Sequence, residues 1–170
     1  VGILYRRSGL YEQAEQYFRK AVTISTALLG ANHPTTADHI HDLSVIYRFQ
    51  NKIKQAEEQC TKAYTLFKNM FGEDDLHTMK SLRNRASIYQ ATHFHHLAEK
   101  DFKTVLTFKE KVLGARHPDT LVSMNELAMF YQITARYHEA EPLLEKALNI
   151  SQQILPENHR DTLFALSRLA

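Results

Sequence analysis

The stretch Ser44-Val45-Ile46-Tyr47-Arg48-Phe49-Gln50-Asn51-Lys52-Ile53-Lys54-Gln55-Ala56 decides the fold, because its landmarks return along the chain. Tyr47 has counterparts at Tyr5, Tyr89 and Tyr131, and Ala56 at Ala14, Ala98 and Ala140, every step being 42 residues. Thr36, Thr78, Thr120 and Thr162 keep the interval, as do Gly30, Gly72 and Gly114, with Pro156 at the next place. The pair His33-Pro34 comes back two steps later as His117-Pro118. Several residue types in one register define a repeat, and a repeat of this size must stack on its neighbours to bury its apolar face.

Within each period the apolar residues follow steps of three and four, as in Ile40, Leu43 and Tyr47, then Ala56, Cys60, Ala63 and Phe67. That spacing predicts two helices per repeat, at about 36–50 and about 53–71 in the second repeat, with equivalents one period on. Gly30, Gly72 and Gly114 end the second helices, since glycine after a helix takes a positive φ without a side-chain clash. Pro34 and Pro118 are read as stops, and Thr36, Asp119 or Thr120 as caps of the helices that follow. The small residues Gly2, Ser44, Ala86 and Ala128 let neighbouring helices approach closely. The expected fold is all-α, a right-handed αα superhelix of about four helix-turn-helix repeats. Its divisions are a partial repeat 1–29, repeats 30–71, 72–113 and 114–155, and a partial repeat 156–170. Both ends fall inside a first helix, so the expectation is a piece of a longer array.

Composition narrows the function classes. The 170 residues are 44% hydrophobic and 24% charged, as in folded proteins rather than disordered chains. A net charge of +2 is too balanced for binding nucleic acid by bulk charge. With Cys60 as the one cysteine there is no internal disulfide, and with no apolar run of membrane-spanning length the expected setting is cytoplasmic. No phosphate-binding glycine loop, Gly-x-Ser-x-Gly or His-Glu-x-x-His occurs, so neither an enzyme nor a cofactor is expected. Cys60 lies on the apolar stripe and reads as a packed hydrophobe. His93, His95 and His96 lack the ligand spacing of a zinc site and read as a solvated turn.

The spacing of a small residue, Tyr three later and Ala nine further on, followed by Phe18, Phe102 or Leu144 and by Ala21, Ala63 or Ala147, resembles the tetratricopeptide repeat. The linkers Leu29-Gly30-Ala31-Asn32-His33-Pro34-Thr35-Thr36 and Leu113-Gly114-Ala115-Arg116-His117-Pro118-Asp119-Thr120 are similar to those of its kinesin light chain variety, found also in nephrocystin-like multidomain proteins. The resemblance spans the chain and implies a non-catalytic scaffold or adaptor that binds a protein partner. Two departures stand out. Arg85 occupies the position of Val1, Leu43 and Leu127, where a charge must snorkel or find a partner, and an acidic neighbour is expected. The linker Gly72-Glu73-Asp74-Asp75-Leu76-His77 lacks the His-Pro pair.

In such arrays the first helices line a concave groove, and their outward positions form ladders across repeats. One ladder reads Asp38, Lys80, Val122, Phe164, and another His41, Arg83, Asn125, Ser167. A third reads Arg6, Arg48, Gln90, Gln132, and a fourth Ile3, Val45, Ser87, Met129. The peptide-binding residues expected from them are Arg6, Asp38, His41, Val45, Arg48, Lys80, Arg83, Gln90, Asn125, Met129 and Gln132. Arginine grips carboxylates in a two-pronged way and amides hold a peptide backbone, so the expected partner is a short, partly acidic segment of a protein, not nucleic acid and not a membrane. By family position, Lys80, Arg83 and Asn125 match places that contact acidic peptides in relatives. The alternative expectation is a structural spacer or self-association array whose groove its own flank fills.

Overall fold

A computed structural model of the chain describes residues 1–154 and residue 167. The described residues form eight helices: α1 (Gly2–Arg7), α2 (Tyr11–Leu29), α3 (Pro34–Phe49), α4 (Ile53–Phe71), α5 (Leu76–Ala91), α6 (His95–Val112), α7 (Pro118–Ile133) and α8 (Tyr137–Ile154). They fall into two compact units, Val1–His93 and Phe94–Ala170. Pro156, Thr162, Phe164 and the partial repeat assigned to 156–170 lie outside the described residues, except for Ser167, which is helical and exposed.

The helices begin and end for reasons that correct the sequence reading at their first turns. The first helix of each repeat starts two residues earlier than expected, and Pro34 and Pro118, past the ends of the preceding helices, stand first in α3 and α7. Proline suits the first helical position, where its missing N–H costs no bond. The cap is then His33 or His117, whose Nδ1 accepts from the amide of Thr35 at 3.2 Å or Asp119 at 3.1 Å. Asp75 takes the same place in the divergent linker, accepting from His77 N–H at 2.8 Å. The periodic threonines do something else. Thr36, Thr78 and Thr120 donate their hydroxyls to the carbonyls of Gly30, Gly72 and Gly114 at 2.9, 2.8 and 2.8 Å, folding each linker back on itself. Gly30 and Gly72 hold φ of 95° and 90° with extended ψ, a region open essentially to glycine alone.

In the first unit, Ala14 and Phe18 of α2, Leu43, Ile46 and Tyr47 of α3, Ala56 and Cys60 of α4, and Ile88 of α5 form one apolar cluster. A second cluster joins Ala37 and Ile40 to Ala63 and Phe67. Gly2 permits the expected close approach, since a Cβ there would stand 2.8 Å from the Phe18 ring. In the second unit α7 packs against both α6 and α8, with the Phe102 and Phe130 rings 5.8 Å apart. Arg85 lies half-buried with its guanidinium 4.5 Å over the Tyr64 ring and 5.7 Å from that of Tyr89, aromatic contacts that the sequence did not suggest. The π faces attract the cation, and its stem covers apolar surface.

An ionic cluster not read from the sequence recurs in each unit. Glu15 accepts from Lys52 at 2.6 Å and Arg19 at 2.9 Å, and both cations lie 5.8 Å from the centre of the Tyr47 ring. Glu99 accepts from Arg136 and Lys103 and from the Tyr131 hydroxyl, with Arg136 stacked 4.6 Å over that tyrosine. The bond from Arg136, reinforced by those from Lys103 and Tyr131, holds the Glu99 carboxyl down at about 2 against the opposing effect of burial.

Candidate functional site

Three successive first helices of the first unit line one cavity of about 380 Å³. Ile3 and Arg6 come from α1, His41, Asp42, Val45, Arg48 and Phe49 from α3, and Lys80, Arg83, Asn84 and Ser87 from α5. Residues three and four apart share a helix face, so each helix contributes one ridge, and stacking sets the ridges side by side. Of the residues predicted in this unit, Arg6, His41, Val45, Arg48, Lys80 and Arg83 meet in the cavity. Asp38 stands at its edge, where its carboxylate accepts from Lys80 Nζ at 3.0 Å. Gln90 is half-buried on α5 outside the lining. Asn125, Met129 and Gln132 belong to α7 of the second unit, where Asn125 is 6% exposed and its Oδ1 has no hydrogen-bond partner among the described residues.

Four cations and one carboxylate line the cavity, and they act on the groups between them. His41 is 4% exposed, with Nδ1 3.2 Å from Ser81 Oγ. Burial first, and then the charges of Lys80, Arg83, Arg6 and Arg48, hold its imidazole well below the usual histidine range, so it is neutral. Burial pushes the Asp42 carboxyl up, against the pull of Lys80 and Arg6. The cavity therefore carries an excess of positive charge. Arg48 is tied in place, its Nε donating to Asn84 Oδ1 at 3.1 Å and its guanidinium 4.7 Å over Phe49.

Ile3 and Ser87, which stood in the fourth ladder, were not carried into the predicted set, and Asp42, Phe49 and Asn84 stood in no ladder. The sequence held one signal for two of them, since Asp42, Asn84 and Glu126 keep a polar residue in a single register. Phe49 lies at a helix end, where the ladder spacing gives no guide. Cys60 is fully buried, with its thiol 3.5 Å from the Ser81 carbonyl. His93, His95 and His96 are all exposed, the last two in the first turn of α6. Among the described residues there is no His, Cys, Asp and Glu grouping able to hold a metal ion, and no helix long and apolar enough to cross a membrane.

Comparison with known proteins places these features. Family models described as tetratricopeptide repeat match residues 1–69, 78–119 and 120–161. No curated protein matches the sequence. Among solved structures, a Podosopora anserina kinesin-light-chain-type protein of nearly identical TPR-like repeats is 24% identical with a TM-score of 0.82, the match covering 99% of this chain and 80% of that one. A variant of the same Podosopora anserina protein gives 23% identity and the same TM-score, over 99% of this chain and 79% of that one. BtubC (BKLC) from P. vanneervenii is 19% identical with a TM-score of 0.84, over 99% and 67%. The chain belongs to the tetratricopeptide repeat family, and its helical repeats have the fold of kinesin-light-chain-like members of that family.

Proposed function

We propose that this protein-interaction scaffold takes a short, acidic, extended segment of a partner protein into the cavity between α1, α3 and α5. The observation that carries the reading is the convergence there of Arg6, Arg48, Lys80 and Arg83 from three helices, around a neutral His41 and in a lining whose one carboxylate is Asp42. Guanidinium groups bind carboxylates with planar, charge-assisted hydrogen bonds. Val45 and Ile3 give the same cavity apolar wall for an intervening side chain. Lys80 is shared with Asp38, so a ligand carboxylate competes with an internal one, which favours segments bearing several acids over a single charge. The carriage of cargo for a motor, as in kinesin light chains, is a further reading that rests on family likeness alone.

The test is binding of a fluorescein-labelled library of short Asp/Glu-rich peptides at moderate salt, with a Lys80→Glu, Arg83→Glu variant alongside. Selective binding lost in the variant, with helical melting curves that coincide, supports the groove. Binding indifferent to the charge reversal, or none at all, overturns the acidic-peptide reading.

A further inference from the structure

Asn84 is 5% exposed, and both ends of its amide are engaged. Its Nδ2 donates to the fully buried Ser44 Oγ at 2.5 Å, and its Oδ1 accepts from Arg48 Nε at 3.1 Å. The guanidinium of Arg48 also lies 4.7 Å over the Phe49 ring, which stacks on Tyr11 with centroids 5.4 Å apart and planes within 1°. Contacts traceable to α2, α3 and α5 thus fix one long, ordinarily mobile side chain in the cavity wall.

We propose that Asn84 is a positioning residue for the site above: it orients Arg48 so that a fixed guanidinium, rather than a loose positive charge, receives a carboxylate of the acidic segment. The inference rests on the acidic-peptide reading. A hydrogen bond at Nε sets the rotation of the guanidinium plane, and the aromatic face sets its tilt, so little freedom is left to lose on binding. Lysine at this position would keep the charge but has no Nε–H to take up this constraint and no plane to stack. Asn84 spends one Nδ2–H on Ser44 and its Oδ1 on Arg48, and at 5% exposure it acts on a ligand chiefly through Arg48.

The experiment compares the parent with Arg48→Lys, Asn84→Ala and the double variant, using the fluorescein-labelled Asp/Glu-rich peptide that the parent binds best. Arg48→Lys and Asn84→Ala should each weaken binding about tenfold, the scale of one charge-assisted hydrogen bond. The double variant should bind no worse than the weaker single, because either change already breaks the same constraint. Without peptide, the Nε–H resonance of Arg48 in a 15N NMR spectrum should move in Asn84→Ala, a change that general loosening of the fold would not confine to one arginine. If Asn84→Ala unfolds, Arg48→Lys alone decides, since it changes a half-buried side chain and keeps its charge. An Arg48→Lys variant that binds like the parent overturns the positioning role, and so do additive losses. Where that occurs while Lys80→Glu, Arg83→Glu still abolishes binding, the groove reading survives without it. A parent that binds no acidic peptide defeats both.

Discussion

Ala135 holds φ +58°, in register with Gly9 at +72°, Asn51 at +58° and His93 at +62°. The turn from first to second helix needs a left-handed residue at this point in every repeat, and sequence inspection shows only a polar, variable loop there. Glycine adopts this geometry freely and asparagine tolerates it, whereas a β-carbon costs roughly 1–2 kcal/mol. Ala135→Gly should therefore raise the unfolding free energy by about 0.5–1 kcal/mol once glycine's greater unfolded-state entropy is subtracted. A urea midpoint that stays put or falls would refute this. His41 gives a second residue-scale outcome. Its folded-state pKa lies below that of the unfolded chain, so the unfolded state binds the extra proton and stability is full above the unfolded value near 6.5. Stability should decline as pH falls below that point, by at most about 1.4 kcal/mol per pH unit for this one proton. His41→Asn, which carries the residue found at the equivalent position 125, should flatten that part of the curve. Parallel curves for parent and variant would remove His41 from the account.

At the scale of elements, each first helix is built by the linker before it. The threonine hydroxyl takes the glycine carbonyl, the linker His or Asp takes a first-turn amide, and the glycine supplies the backbone angle. The register of these residues was plain in the sequence, but their division of labour was not, because threonine is as good a helix cap as histidine is a poor one on general preference. Only the path of the linker puts Nδ1, rather than the hydroxyl, beside the amide. An aspartate at the cap also carries a charge that suits the positive end of the helix. His117→Asp should thus stabilise α7 by about 0.5–1 kcal/mol, making the linker resemble that of Asp75. A lower thermal midpoint for this variant would show that the imidazole contributes packing that the carboxylate cannot replace.

For the whole molecule, the chain divides into two units of helical hairpins. The cavity with its cations lies within Val1–His93. An acidic peptide at about a hundredfold excess over its dissociation constant should stabilise the state that binds it by about 2.7 kcal/mol. Hydrogen exchange should then slow at the amides of α1, α3 and α5, and the slowing should fade as salt rises through the Debye range. Slowing centred on α8 would place the ligand elsewhere.

The 42-residue register determined the helices, their pairing, the small residues at close approaches and the ridge of each first helix, because periodicity in one dimension fixes which residues share a face. It also singled out Arg6, His41, Val45, Arg48, Lys80 and Arg83. What it could not fix was distance between side chains on different elements. Arg85 meeting Tyr64 and Tyr89, Lys80 meeting Asp38 and Asn84 holding Arg48 were decided only when helices stacked. Such contacts depend on rotamers and on burial, and these exist only once tertiary packing has excluded water and left each polar group to find its partner.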